Sequence, residues 1–278
     1  MTKTRLKVLR HFLAGNNNVS WLEFLTFFLS PPYKLRAKKY IKSIAKHDSK
    51  HNKVTFKNLD HPLFVPNTLS NQSLFQVINE CINKKNWHFY EIPATMVTKE
   101  DIVVDCGSAE GLFALSVFDK CKHVYLVEPV ASFINSLKLT FSNTANTTII
   151  EKALSDSVYK TKMIDNGISS FLSNQKLVGV QNIEVSTLDE IFYNNNLPIT
   201  YIKIDLEGYD LKALLGAKNL IQKFKPKIAV TTYHLPSHVD DIKKYLIRIV
   251  PQYKFIQKGI FSETGCPIML HAWCDIEK

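Results

Sequence analysis

Cysteine is too sparse and too irregularly placed in this chain to form a scaffold. The five residues Cys81, Cys106, Cys121, Cys266 and Cys274 include no C-x-x-C pair. An odd set without that spacing argues against a disulfide framework or a zinc ribbon and fits a reducing cytosol. Long apolar runs are also missing. VSWLEFLTFFLS (19–30) falls short of the ~20 apolar residues of a membrane-spanning helix and is interrupted by Glu23, so it is not expected to span. No secretory signal is legible, because that run comes late and lacks a small-residue cleavage pattern. Acids are nearly absent from one end. Residues 1–53 hold Glu23 and Asp48 against twelve Lys or Arg, while the rest of the chain holds 23 of each sign. The formal net charge of +10 thus belongs to the N-terminal segment, and the neutral body gives no reason to expect a nucleic-acid partner.

What is present changes character near residue 100. Residues 19–50 read as helix, broken by Pro31 and Pro32, with Leu35, Ala37, Ile41 and Ile44 set among lysines. KVTFKNLDHPLFVPN reads as short strands and a turn, and Leu74, Val77, Ile78, Cys81 and Ile82 recur at helical spacing. The expected organisation is a basic helical segment (1–53), an accessory region (54–98) and a body (99–278). In the body, the strand candidates DIVVDC, HVYLVE, NTTIIEKAL, IEVSTL, ITYIKIDL and PKIAVTTYH alternate with helices such as LKALLGAKNLIQKF and VDDIKKYLIRIV. Near-continuous apolar strands indicate a parallel sheet covered on both faces. YKFIQKGIF and CPIMLHAWC, joined by a short loop, must pair antiparallel. The expected fold class is α/β: a doubly wound Rossmann-like sheet ending in an antiparallel hairpin.

Glycine is scarce as well, at nine residues in 278, yet Gly107 and Gly111 stand four apart directly after Asp105 in DIVVDCGSAEG. In an open parallel sheet ligands sit beyond the carboxyl ends of the strands. Gly107 is expected to allow a close backbone approach there, and Gly111 to let the next helix start close to sheet and ligand. Glu128, ending VYLVE, is placed to accept ribose hydroxyls. The turn is G-x-x-x-G, with Ser108, Ala109 and Glu110 inside, and not the dinucleotide G-x-G-x-x-G. Two phosphates disfavour neighbouring carboxylates, so the acidic turn suits the sulfonium and amino group of S-adenosylmethionine better than NAD(P). A Tyr-x-x-x-Lys pair is also missing.

YIKIDLEGYD (201–210) places Lys203, Asp205 and Glu207 at i, i+2 and i+4, on one face while strand geometry lasts. Asp210 reads as an ordinary acid in the first turn of the following helix. His234 follows the strand KIAVTTY into the same crevice. His234 and His238 flank Pro236 with no third ligand evident, so no metal is expected.

KIDLEG followed by LKALLGAKNLIQKFKPKIAV and YH resembles the FkbM family of S-adenosylmethionine-dependent methyltransferases. DCGSAEG, EP at 128–129, EKALSDS at 151–157, NGISS at 166–170 and STLDE at 186–190 stand in the family's order, from about residue 100 to 275. The resemblance implies a class I methyltransferase fold and O-methylation, with sugar or glycan hydroxyls a common acceptor class. Ser108, Ala109 and Glu110 replace the family's frequent turn wording. The implied cofactor-binding set is Asp105, Gly107, Ser108, Ala109, Gly111, Glu128 and Ala153. In the expected catalysis Glu207 or His234 removes the acceptor proton, Asp205 places sulfonium or acceptor, and Lys203 holds the carboxylates. A non-catalytic binding module, and a methyltransferase for nucleic acid or a non-sugar small molecule, stay open as alternatives. The body carries no Asn/Asp-Pro-Pro-Tyr tetrapeptide. The basic segment, with Trp21, Leu22, Phe24, Leu25, Phe27 and Phe28 beside it, is expected either to dock on an anionic membrane surface or to pack on the body.

Overall fold

The N-terminal segment is helical only as far as Lys38. Helices α1 (Lys3–Leu13), α2 (Trp21–Leu29) and α3 (Tyr33–Lys38) lead into strands β1 (Ile41–Lys46), β2 (His51–Phe56) and β3 (Leu63–Pro66). The computed structural model describes residues 3–15, 17–164, 171–172 and 180–275; the NGISS segment lies outside the described residues. Ile41 and Ile44, expected on a helix, stand on β1, which pairs antiparallel with β2. Pairing with β2 overrides a weak helical pattern, and the lysines of β1 are the kind of charge that blunts a largely exposed edge strand. Glu23, the lone acid of the apolar run, belongs to a capping box. It accepts the Ser20 amide while the Ser20 hydroxyl accepts the Glu23 amide.

A segment boundary at residue 53 falls inside β2. Ala37, Val54 and Phe56 enter the same core as Leu74, Phe75 and Ile78 of α4 (Asn71–Cys81) and Val103 of the first body strand. The aromatic cluster of α2 also faces inward: Phe24 stacks on Phe12 at 4.2 Å and Phe27 on Trp87 at 4.4 Å. No helix among the described residues is long and apolar enough to cross a membrane.

The body begins with β4 (Ile102–Cys106), α5 (Leu112–Val117), β5 (His123–Val127), α6 (Ala131–Thr140) and β6 (Thr147–Ile150). After the excursion β7 (Ala153–Leu154), β8 (Tyr159–Ile164), β9 (Phe171–Leu172) and β10 (Val180–Ser186) come β11 (Tyr201–Ile204), α7 (Asp210–Leu215), α8 (Lys218–Phe224), β12 (Lys227–Thr231), α9 (His238–Ile249), β13 (Lys254–Lys258) and β14 (Met269–Trp273). The main sheet has seven strands in the order β13-β14-β12-β11-β4-β5-β6. β4, β5, β6, β11 and β12 run parallel, and β14 is antiparallel to both β12 and β13. The chain moves outward from β4 through β5 to β6 and then returns to β11 on the other side. The switch point therefore lies between β4 and β11, where ligands bind in such sheets.

Two expected elements divide. NTTIIEKAL splits into β6 and β7, and IEVSTL belongs to β10; β7 and β10 lie in a separate four-stranded sheet, β7-β10-β8-β9. LKALLGAKNLIQKF breaks into α7 and α8 at Gly216, where a Cβ would meet the Ser155 carbonyl oxygen at 2.2 Å. A straight helix with a side chain there would collide with the backbone after β7. Asp189 of STLDE caps α8, accepting the amides of Asn219 (3.0 Å) and Leu220 (2.8 Å).

Candidate active site

The exits of β4 and β11 touch. The Asp205 amide donates to the Cys106 carbonyl, and a Cβ on Gly107 would lie 2.2 Å from the Asp205 carbonyl oxygen. Gly107 (φ 72°) is thus required by the neighbouring strand, whatever its backbone offers a ligand. Gly111 (φ 83°), at the start of α5, likewise faces Leu137 of α6 and Phe141 just after it, so close packing requires a glycine at both positions. Ala109 also sits at positive φ, 46°. Its amide is held by Glu128 Oε2 at 2.8 Å, and Glu128 Oε1 accepts the Val130 amide at 2.9 Å. Glu128 therefore clamps the turn from the end of β5. Burial pushes its pKa up to about 7 against those two amides, and Glu110, equally buried, is pushed to about 7 by the same cause. The Ser108 hydroxyl donates to the Asp105 carbonyl at 2.8 Å, which leaves its oxygen only as an acceptor. Ala153 lies with Val130, Phe133, Ile183 and Val185 in a small apolar cluster against which Ala109 packs.

Asp105 and Lys203 form a buried ion pair at 2.9 Å, the Asp105 side chain fully covered and Lys203 5% exposed. The Lys203 ammonium also donates to the Gly107 carbonyl at 2.7 Å. Burial opposes the charge on each partner. It raises Asp105, while Asp105 and Asp205 outweigh burial and hold Lys203 above its ordinary pKa. Lys203 consequently anchors Asp105 and the turn. It does not bridge the carboxylates further along, because the strand ends at Ile204 and Glu207 turns into left-handed backbone at φ 50°. The shared face of Lys203, Asp205 and Glu207 is lost there.

Asp205 is met by the Tyr90 hydroxyl at 2.7 Å and the Thr231 hydroxyl at 3.2 Å. His88 Nε2 lies 3.9 Å from it and His234 Nε2 3.6 Å. Burial alone would raise Asp205, but His88, Lys203, His234 and the Tyr90 hydroxyl bring its pKa below the usual carboxylate value. His234 sits among three carboxylates. Its Nδ1 is 3.1 Å from Asp210 Oδ2, and its Nε2 is 3.7 Å from Glu207 Oε2 as well as close to Asp205. Burial pulls its pKa down, but the Asp210 hydrogen bond and the surrounding negative charge carry it up to about 9. The three carboxylates around His234 favour its imidazolium form, which weakens it as a proton acceptor beside Glu207. Glu207, its side chain 45% exposed, is raised by burial and by its acidic neighbours against the pull of His234.

Asp210 is no ordinary helix-start acid. Completely buried, it accepts the amides of Leu206 (2.9 Å) and Gly208 (3.1 Å) and His234, and shares the one Thr231 hydroxyl proton (3.2 Å) with Asp205. Asp205, Asp210 and His234 bring ligand-type atoms within 4.8 Å of one another. Those four donors nevertheless occupy both Asp210 oxygens, so a cation would have to displace the bonds that shape the loop. His88 and Tyr90 were not singled out by sequence reasoning. The signal available was the aromatic stretch WHFY (87–90), ahead of the body and outside its strand pattern. Its Tyr90 is fixed by Tyr201, which donates to the Tyr90 carbonyl at 2.6 Å.

Comparison with known proteins follows this geometry. No curated protein matches the sequence. Among solved structures, the chain is similar to the FkbM methyltransferase of Methylobacillus flagellatus at 20% identity and TM-score 0.51, covering 74% of this chain and 56% of that one. The chain thus spans little more than half the length of that relative. An rRNA methylase of Streptococcus thermophilus matches at 15% identity and TM-score 0.43, over 66% of this chain and 92% of that one. The first likeness concerns the fold alone, and neither bears on the acceptor. The model of the FkbM methyltransferase domain matches residues 105–256, from the buried aspartate of β4 to the middle of β13 and more than half of the chain. By that match the chain belongs to the FkbM methyltransferase family.

Proposed function

We propose that this methyltransferase uses S-adenosylmethionine to methylate a hydroxyl of a sugar or glycoconjugate. The observation that carries the reading is the charge at the switch point. The cations there are already engaged, Lys203 by Asp105 and His234 by Asp205, Glu207 and Asp210. Such a crevice suits a ligand bearing a sulfonium and an ammonium and repels phosphates. The cofactor fits the residues present: Glu128 for the ribose hydroxyls, the turn at 107–111 and the carboxylates around it for the cationic end, and the apolar cluster around Ala153 for the base. When bound, it supplies a methyl group already electrophilic on sulfur. The chain's own work is to orient the acceptor oxygen and take its proton. Positioning contributes up to roughly 7–11 kcal/mol in the best cases. Glu207 is assigned as the base, because its carboxylate is the open one of the cluster and its raised pKa strengthens it as a proton acceptor. Asp205, kept ionised and held by Tyr90 and Thr231, binds acceptor hydroxyls or the cationic centre. His234 holds Glu207 in place.

The test is transfer of a labelled methyl group to a panel of glycans, RNA and small hydroxylated acceptors. Base-labile or nitrogen-linked label would contradict O-methylation of a sugar. Label in RNA alone would replace the acceptor class. Tight cofactor binding with no transfer to any acceptor would favour a non-catalytic module.

A further inference from the structure

A cleft of about 1100 Å³ lies between the N-terminal helices and the body, lined by none of Asp205, Glu207, Asp210 and His234. Six cations reach its walls, Arg36, Lys39, Lys84, Lys85, Lys120 and Lys258, against the single acid Glu91. One oxygen of the Glu91 carboxylate accepts the Val97 amide at 3.0 Å. Among the described residues none of the six cations forms a salt bridge. Arg36 Nε is buried with no hydrogen-bond partner. Burial draws the pKa of Arg36 down, with Arg5 adding to it, and burial does the same to Lys258. Lys39, Lys84, Lys85 and Lys120 are exposed, Lys120 donating to the Ser116 carbonyl at 2.7 Å, so the cost of a partly dry cation falls on Arg36 and Lys258, and an anion entering beside them would offset it.

One wall of the cleft is the end of α2, where Thr26 and Leu29 line it. Leu29 also belongs to a row on the outer side of that helix, opposite the buried Phe24. Leu22 and Leu29 are 76% exposed, Trp21 63% and Leu25 45%. Positions 22, 25, 26 and 29 follow helical spacing, so the apolar row runs directly into the cationic cleft. The two earlier expectations for this segment are therefore divided between two faces of one helix: Phe24 and Phe27 pack inward on Phe12 and Trp87, Trp21 meets Phe12 edge-on at 4.7 Å, and Leu22, Leu25 and Leu29 stay outside.

We propose that this face docks on an anionic phospholipid surface, with a phosphate-bearing headgroup in the cleft and the α2 row in the acyl boundary. Apolar and cationic groups side by side match the two chemistries that meet at such a surface. A soluble phosphate would have no use for the leucine row. A second copy of the chain would bring the same cations against these in an isologous contact.

The test uses the full chain and vesicles of phosphatidylcholine with or without phosphatidylglycerol. Binding is expected only to the anionic vesicles, fading as salt rises. Leu22→Ser/Leu25→Ser/Leu29→Ser and Lys84→Glu/Lys85→Glu should each weaken it about tenfold or more, with unchanged melting temperature. If the leucine variant fails to fold, the lysine variant still decides. Equal binding to neutral vesicles, or retention by both variants, would overturn the proposal. A melting shift with glycerol phosphate, lost in the lysine variant and unaccompanied by vesicle binding, would reassign the cleft to a free anion. Dimers in light scattering that the leucine variant dissociates, without vesicle binding, would reassign the row to a second copy.

Discussion

A lysine and an aspartate buried together hold the β4 turn, and their cost shows when one is removed. Lys203→Met leaves Asp105 uncompensated in a dry position, a change typically worth about 3–5 kcal/mol. Urea unfolding should report that loss, and adding Asp105→Asn to Lys203→Met should recover part of it; a neutral single variant would contradict the pairing. His234 carries a second expectation, tied to pH. Its folded pKa of about 9 lies above the ordinary imidazole value near 6.5. The stability it contributes is thus fully present below about pH 6.5 and lost as pH rises through about 9, on the order of 2–3 kcal/mol. His234→Asn should flatten the fall in stability across that window. In catalysis, Glu207→Gln should lower kcat by roughly 10²–10⁴-fold while S-adenosylhomocysteine still binds, since it removes a proton acceptor. Near-normal kcat would move the base elsewhere. None of these environments was legible in the sequence. Asp210 looked like any acid at a helix start and is the buried centre of the loop.

At the scale of elements, legibility followed local pattern. Parallel strands buried on both faces announce themselves as apolar runs, and β4, β5, β11 and β12 lie where those runs do. Partition between sheets does not announce itself. β10 looks like its neighbours in sequence yet pairs in the separate sheet with β7 and β8, because pairing is chosen by long-range hydrogen bonds. The Gly107 turn makes a prediction at this scale. Gly107→Val would place a side chain against the Asp205 carbonyl in backbone that disfavours it. The expected result is loss of the cooperative melt, not a folded protein that has merely lost its ligand. A stable variant without cofactor binding would return Gly107 to the ligand.

For the whole molecule, the N-terminal region is part of the fold. Removing residues 1–53 would cut β2 and strip Ala37 from the core, so the truncated chain is expected to aggregate or to melt well below the full chain. An unchanged melting temperature would show that the segment is separable after all. Binding links the whole molecule to its ligand: S-adenosylhomocysteine should raise the melting temperature and NADH should not. Glu110 and Glu128, both with pKa near 7, ionise as pH rises through that value. Affinity for S-adenosylmethionine should therefore increase from about pH 6 to about pH 8, because the ionised carboxylates attract its positive charge. Titration calorimetry across that range checks the direction, and a flat profile would detach the two residues from the cofactor.

The sequence by itself determined the α/β class, the antiparallel hairpin, the family and the stretches that converge on the switch point. Strand burial, turn length and motif order are local properties, written in consecutive residues. Only the tertiary structure decided that Lys203 serves Asp105, that Gly107 and Gly111 are demanded by the packing around them, that Tyr90 reaches in from the accessory region, and that His234 sits among three carboxylates. Each of those depends on what lies across the crevice. Charge state and close packing are set by neighbours distant in the chain, through burial and through distances of a few ångströms that spacing along a strand does not encode.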